Sequence, residues 1–143
     1  MTSRKQHNIN TEELELAYYD AINRGDVDAM MHLWADDEEI VCIHPNCPRL
    51  IGHAEIRSSW EAIFELGKIQ VQAQQIHIIQ NMFTSIHSVI ERFSQTPDLP
   101  QDLHILATNI YVKTAHGWRI ANHHASIASG EPPIDIKKHS ALH

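Results

Sequence analysis

One strand-like run near the end of the chain, residues 117–126, combines large apolar residues with side chains that can bind or move protons. Because a β-strand alternates its side chains between two faces, we predict one face made of Trp118, Ile120, Asn122, His124 and Ser126. That face passes from apolar residues to an amide, an imidazole and a hydroxyl, as in a strand that ends in a polar-tipped pocket. An imidazole with its ordinary pKa of about 6.5 can take or give a proton near neutral pH. The alternation puts His123 on the opposite face, so His124 is the histidine expected in the pocket.

His44 is a second candidate for proton transfer. It ends the β-rich run of residues 40–44, on the same face as Cys42, and a proline follows it directly. This position is compatible with a pocket histidine and equally with a buried structural one. A metal site made of His44, His87 and His124 is conceivable, but their spacing carries no metal-binding signature. We therefore expect no metal and no cofactor.

The composition favours a single domain whose partner is a small organic molecule. The chain has 143 residues and a formal net charge of -7, which argues against nucleic acid or an anionic membrane, since both favour a basic surface. No apolar run approaches the roughly 20 residues that span a bilayer, and residues 1–7 are not followed by the apolar segment of a secretory signal. Two cysteines, Cys42 and Cys47, are too few for a disulfide framework, so we expect a cytoplasmic location.

Three helices are predicted in the first half of the chain. The first carries an apolar stripe at helical spacing, made of Leu14, Ala17, Tyr18, Ala21 and Ile22. The third carries Trp60 on its own stripe. The helix boundaries are predicted from residue types that cap or end helices, namely Asn10 with Glu13, Gly25, Asp26, Gly52 and Gly67.

The second half of the chain is predicted to form strands. Apolar residues alternate from Ile69 to Ile78 and change parity at Gln74 and Gln75, which predicts a β-bulge. Further strands are predicted over residues 84–93, 103–113 and 117–126. Helices followed by a bent antiparallel sheet form an α+β pattern, with three N-terminal helices on one sheet face and a cone-shaped cavity beneath them. The other face is available for a second copy, so we expect a homodimer.

The domain is expected to span residues 10–129. Residues 1–9 and 130–143 are expected to be a flexible N-terminus and a flexible C-terminal tail, because neither has a periodic apolar pattern and chain ends are commonly untethered.

Four segments together resemble one protein family. The first two are YYDAINRGDVDAM at residues 18–30 and LWADD at residues 33–37, and GHAEIR at 52–57 and GWRI at 117–120 follow in the same order. They resemble the NTF2-like superfamily, and within it the chain is most similar to SnoaL-like and ketosteroid-isomerase-like proteins. The resemblance covers roughly residues 12–126 and implies the cone-shaped α+β fold. It implies no single function, because this fold hosts isomerases, dehydratases, epoxide hydrolases, cyclases and binding modules.

The resemblance to steroid isomerases also implies site residues. Their tyrosine oxyanion donor corresponds to Tyr18, and His44 occupies the place of their aspartate base, directly before a proline. Their second oxyanion donor, a protonated aspartic acid, falls on Asn109. A general acid–base site is therefore implied, with His44 as base, Tyr18 and Asn109 as donors to an enolate-like oxygen, and His124 as an orienting or relay residue. The expected substrate pocket is completed by Trp60, Asn122, Cys42 and Ser126.

Two other relatives fit this chain less well. Epoxide hydrolases of this fold need an aspartate–arginine–aspartate set, and the nearest residues are Asp102 and Arg119. Arg119 is predicted on the face opposite Trp118, so this set does not form. Dehydratases use histidine and aspartate in the cavity, and no buried aspartate is evident here.

Three hypotheses about function remain open at this point. The first is an isomerase or dehydratase that acts on a small apolar molecule by proton transfer. The second is a non-catalytic ligand-binding or association module. The third is a dimer whose pocket is vestigial, which a cavity filled by Trp60 and its neighbours would favour.

Overall fold

The computed structural model describes residues 9–94 and 103–130, and the expected flexible ends, together with a loop expected at residues 96–100 from its two prolines, lie almost entirely outside this part. The helices are α1 (Thr11–Arg24), α2 (Val27–His32) and α3 (His53–Glu65). The strands are β1 (Val41–Ile43), β2 (Leu50–Ile51), β3 (Val71–Gln80), β4 (Thr84–Phe93), β5 (Leu103–Thr114) and β6 (Gly117–Ser129). The predicted α+β fold class is confirmed.

The predicted helix boundaries are confirmed by their capping geometry. Asn10 and Glu13 make the reciprocal hydrogen bonds of a capping box, at 2.8 and 2.9 Å. Gly25 ends α1 in the left-handed region, with φ +66°, and the Asp26 side chain accepts from the Ala29 amide to cap α2. The capping box sets the start of α1, and Gly25 and Asp26 set the boundary between α1 and α2.

The six strands form one sheet in the order β2-β1-β6-β5-β4-β3. All neighbouring pairs are antiparallel except β1 and β6, which pair in parallel with Cys42 opposite His123. The parallel pair and the short strand β2 differ from the predicted all-antiparallel sheet. They bring the end of β1, and therefore His44, beside the last strand.

Two β-bulges bend the sheet. The predicted bulge in β3 is confirmed by a register shift between Gln74 and His77, with Gln75 at φ +50°. A second bulge lies in β6, where Ile110 pairs with Asn122 and the next residue of β5 pairs with Ile120. Ala121 is the extra residue, so the alternation of faces reverses beyond it.

The helices cover the inner face of the sheet and close the core. Buried side chains from the helices meet Trp118 and Ile120 of β6, and they include Leu14, Tyr18, Met30, Ile56 and Trp60. Trp34, which follows α2, joins them and pairs in parallel with Ile120. All three tryptophans, Trp34, Trp60 and Trp118, are buried. On the outer face, Ile79, Ile86 and Leu106 are 63%, 38% and 42% exposed, so this face keeps an apolar surface.

Candidate active site

Four rings from four separate segments meet inside the cone, and we call them the ring cluster: Tyr18 on α1, His44 after β1, Trp60 on α3 and His123 on β6. The Tyr18 ring centroid lies 5.3 Å from that of His123 and 6.1 Å from that of Trp60. His44 lies 4.8 Å from Trp60, edge to face, and 6.5 Å from His123. All four side chains are buried.

Two polar atoms of the ring cluster have no hydrogen-bond partner among the described residues. They are the Tyr18 hydroxyl and the indole Nε1 of Trp60, both inaccessible to solvent. An unpaired buried donor costs about 1–3 kcal/mol. Burial also raises the pKa of Tyr18 well above its ordinary value, so its hydroxyl keeps its proton. A ligand oxygen that accepted from these two groups would recover that cost.

His44 is held in one orientation by α3. Its Nε2 lies 3.0 Å from the Ser59 hydroxyl and 3.7 Å from the Cys42 sulfur. The Ser59 hydroxyl donates to the Ile56 carbonyl at 2.8 Å, so its oxygen accepts from His44 and Nε2 carries the hydrogen. Burial lowers the pKa of His44 to about 4. His44 is therefore neutral at pH 7, with its lone pair on Nδ1.

His123 is held by the amide of Asn109. The Nδ1 of His123 lies 2.6 Å from Asn109 Oδ1. Burial, followed by the proximity of His44 and His124, lowers the pKa of His123 to about 3. This imidazole is therefore also neutral at pH 7.

Asn109 belongs to a buried set of polar side chains centred on Glu15, which we call the carboxylate network. Glu15 Oε2 accepts from Asn109 Nδ2 at 3.0 Å and from the Tyr111 hydroxyl at 2.6 Å. Its Oε1 lies 2.9 Å from Nδ1 of His87, which is fully buried. Buried polar groups persist when they are hydrogen-bonded, and Glu15 satisfies three donors from β4 and β5.

His87 makes hydrogen-bonding contacts through both ring nitrogens. Its Nε2 lies 3.2 Å from the Thr11 hydroxyl and 3.1 Å from the Ser85 hydroxyl. Both hydroxyls donate to Oε1 of Gln80, so their oxygens accept from Nε2. Nδ1 of His87 faces the carboxylate, so this contact links β4 to α1 inside the cone.

Glu91 and Tyr19 extend the carboxylate network toward β3. The Tyr19 hydroxyl donates to Glu91 Oε2 at 2.7 Å and accepts from Asn109 Nδ2 at 3.1 Å. Burial raises the pKa of Glu91 to about 7, and the hydrogen bond from Tyr19 opposes that rise. A groove of about 400 Å³ between α1 and β3 is lined by both Glu15 and Tyr19.

A family model described as a SnoaL-like domain matches residues 12–130. The chain belongs to this family. This SnoaL-like domain also has the cone-shaped fold of the NTF2-like superfamily. No match is found among the curated proteins.

Several solved structures are similar to this SnoaL-like domain. A protein from Thiobacillus denitrificans, provisionally named a calcium/calmodulin-dependent protein kinase type II association domain, is 33% identical, with a TM-score of 0.78 over 85% of this chain and 98% of that one. A provisional dehydratase of the NTF2-like family from Streptomyces avermitilis is 28% identical, with a TM-score of 0.72 over 82% and 93%. A ketosteroid isomerase-like protein from Erwinia carotovora atroseptica shares the fold at 20% identity, with a TM-score of 0.64 over 82% and 93%.

Some of the predicted site residues come together in this SnoaL-like domain. Tyr18, His44 and Trp60 form three of the four members of the ring cluster, and the buried Cys42 contacts His44. Asn109 is buried nearby, but its Nδ2 group already donates to Glu15 and Tyr19. Neither N–H of this amide is left for an oxyanion, so the predicted role of Asn109 as an oxyanion donor is wrong.

The predicted inward face of β6 is wrong beyond Ala121. His124 and Ser126 are exposed and Asn122 is half-buried, whereas His123 is buried. His124 pairs with Thr108 on the outer face of the sheet. The bulge at Ala121 is the cause, because one extra residue exchanges the two faces of the strand. These three residues do not line the ring cluster.

Sequence reasoning missed His123 and the carboxylate network. A signal existed for Glu15, which lies three and four residues before Tyr18 and Tyr19 and therefore on the same helix stripe. Glu91 likewise shares alternating positions with Ser85, His87 and Val89, all of which are buried. Charged residues on an apolar stripe indicate a buried polar network.

Potential metal ligands do not converge in the part of the chain that the structure describes. Within residues 9–94 and 103–130, no group of three or more such side chains is arranged to hold a metal ion. Among the same residues, no helix is long and apolar enough to cross a membrane.

Proposed function

We propose that this SnoaL-like domain binds a small, mostly apolar carbonyl compound at the ring cluster and moves a proton on it without a cofactor. The observation that carries this proposal is the pair of buried, unpaired donors, Tyr18 and Trp60, beside a neutral histidine base. A carbonyl oxygen needs such donors most when it becomes negatively charged. The provisional dehydratase among the similar structures supports the same class of reaction.

The roles follow from the protonation states of the cluster. His44 would take a proton from the carbon next to the carbonyl, and the electron pair of that C–H bond would move to the carbonyl oxygen. Tyr18 and Trp60 would donate to the resulting enolate. Return of the proton to another carbon completes an isomerisation, whereas loss of a neighbouring hydroxyl as water completes a dehydration.

Proton abstraction by this SnoaL-like domain is testable without its natural substrate. The probe is 5-nitrobenzisoxazole, in which a base removes the C3 proton, the N–O bond breaks and a coloured nitrophenolate forms. We expect the domain to exceed free imidazole at equal concentration. His44→Ala should lower the rate by about 100-fold or more, because positioned general bases contribute that much. The measurement is absorbance against time at pH 7.

His116→Ala, in the exposed turn between β5 and β6, is the matched control and should keep the wild-type rate. The melting temperature of each variant shows whether folding is preserved. A wild-type rate no higher than that of imidazole, or an unchanged rate in a folded His44→Ala variant, would overturn the proton-transfer proposal.

A second candidate function is association, and one observation favours it. The outer face carries a contiguous apolar row, because Ile79 pairs with Ile86 and Ile86 pairs with Ile110 across three strands. The Thiobacillus denitrificans relative is provisionally an association domain. We propose that two copies of this chain form a homodimer through this face. A cytoplasmic location is part of this proposal, supported by the two free cysteines.

The double substitution Ile86→Glu with Leu106→Glu is expected to convert the dimer to a monomer. Each change puts a charge on the apolar outer face, and burying it would cost several kcal/mol. Sedimentation velocity at roughly 50 µM, far above the dissociation constant of a stable dimer, measures the result. Leu66→Glu is the control, since Leu66 is 89% exposed at the end of α3. A monomeric wild type, or a double variant that stays dimeric, would contradict this interface.

A further inference from the structure

We propose that His123 is a second proton acceptor of the ring cluster, and that Asn109 and Glu15 are positioning residues that fix its tautomer. The ligand would then carry a hydroxyl or N–H donor next to its acceptor oxygen. This inference rests on the proposed ligand site at the ring cluster. It assigns a role to three buried residues that the His44 reaction does not use.

The first step is the orientation of the Asn109 amide. Its Nδ2 donates to Glu15 Oε2 at 3.0 Å and to the Tyr19 hydroxyl at 3.1 Å. A carboxylate can only accept hydrogen bonds, so the opposite orientation would place Oδ1 against Glu15 without a proton between them. Glu15 therefore fixes which end of the amide faces His123.

The second step is the tautomer of His123. Asn109 Oδ1 can only accept, so the 2.6 Å contact requires a hydrogen on Nδ1 of His123. A neutral imidazole carries one N–H, which leaves the lone pair on Nε2. Burial keeps the pKa of His123 low, and so supports the neutral form. Nε2 makes no hydrogen bond to any residue that the structure describes.

The third step is what surrounds the free nitrogen. The His123 ring lies 5.3 Å from the Tyr18 ring, yet the Tyr18 hydroxyl has no partner among the described residues. The two rings therefore contact each other, yet the Tyr18 hydroxyl makes no hydrogen bond to Nε2 of His123. His44 is the opposite tautomer, with its hydrogen on Nε2 toward Ser59. The ring cluster therefore offers two donors and two lone pairs.

These two donors and two lone pairs define the kind of ligand that would fit the ring cluster. Its carbonyl oxygen would accept from Tyr18 and Trp60, and His44 would take the carbon-bound proton. A hydroxyl or N–H group on the carbon next to the carbonyl would donate to Nε2 of His123. A ligand without that donor would leave Nε2 of His123 unpaired beside it, which enzymes and binding sites discriminate against.

The tautomer is measured directly by two-dimensional ¹⁵N NMR of the histidine side chains at pH 7 in the ligand-free protein. We expect His123 in the Nδ1–H form and His44 in the Nε2–H form. Asn109→Leu should release His123 to a mixture of forms and leave His44 unchanged. An Nε2–H form of His123 in the wild type would overturn the inference, whatever the activity of the protein.

Ligand preference is measured with 2-hydroxy-1-phenylethanone, whose hydroxyl is on the carbon next to the carbonyl, and with its methyl ether, 2-methoxy-1-phenylethanone, by saturation-transfer NMR titration. The wild type should bind the hydroxyl compound about tenfold more tightly, the factor expected for one hydrogen bond of ordinary strength. Asn109→Leu should reduce this preference to near unity, and His116→Ala should keep it. Equal binding of both probes in the wild type would overturn the role of His123. If 5-nitrobenzisoxazole is still turned over, the proposed function of the ring cluster would stand without it. Binding of neither probe would count against the ring cluster as a ligand site as well.

Discussion

Replacing Glu15 by leucine is expected to lower the free energy of unfolding by about 3–5 kcal/mol, because three buried polar groups lose their partner and each such loss costs about 1–3 kcal/mol. The substitution leaves Nδ1 of His87, Nδ2 of Asn109 and the Tyr111 hydroxyl without their acceptor. His87 is fully buried, so water does not replace the lost carboxylate. The measurement is equilibrium urea unfolding followed by tryptophan fluorescence.

Glu12→Leu is the matched control for this prediction. Glu12 lies on the same helix and undergoes the same change of residue type, but it is exposed. Its effect should stay within about 0.5 kcal/mol, as for most surface substitutions. Similar losses for the two variants would show that Glu15 acts through helix propensity or solubility and that the carboxylate network is not a centre of stability.

The second large effect is a pH dependence of stability that comes from Glu91. Burial raises the pKa of Glu91 to about 7 in the folded state from an ordinary value of 4.5. Between these values the folded state holds a proton that the unfolded state has lost. This contribution to stability is therefore fully present below pH 4.5 and is lost as the pH rises through 7. A shift of this size corresponds to about 3 kcal/mol.

Comparison with Glu91→Gln isolates this contribution. The glutamine does not titrate and still accepts from the Tyr19 hydroxyl, so the stability of the wild type relative to the variant should fall by about 3 kcal/mol between pH 4.5 and 7.5. His44 and His123 have the opposite sign, because their pKa values are lowered in the folded state and protonation destabilises it as the pH falls below 6.5. They are present in both proteins and cancel in the difference.

Urea unfolding at six or so pH values, with Glu12→Gln as an exposed control, provides this comparison. The control difference should be flat across the range. A flat difference for Glu91→Gln would mean that Glu91 ionises equally in the folded and unfolded states, and that its buried environment has no effect on proton binding.

The helices show how far local sequence information reaches in this protein. A capping box and a left-handed glycine involve residues within a few positions of one another, and so the roles of Asn10, Glu13 and Gly25 follow from the local sequence. The same holds for Tyr18 and Trp60, whose burial follows from their helical stripes. The bulge in β3 was also visible, because a change of parity lies within one strand.

The bulge in β6 shows where that information ends. The apolar positions change parity between Ile120 and Ala125, but a strand that ends in a polar pocket shows the same pattern, and only the register of β5 identifies Ala121 as the extra residue. That single residue decides that His123 faces the core and His124 faces outward. A prediction based on strict alternation selects the wrong histidine of the pair.

The amino-acid sequence alone determined the fold class, the helix boundaries and the burial of Tyr18, Trp60 and Trp118, since these depend on short-range periodicity and capping. Only the tertiary structure decided which polar groups meet. Glu15 and Asn109 are 94 positions apart and bond through the packing of α1 against β5. Of the histidine pair of the last strand it is therefore His123 that faces the ring cluster, because side-chain direction in a sheet depends on the neighbouring strand as well as on the strand itself.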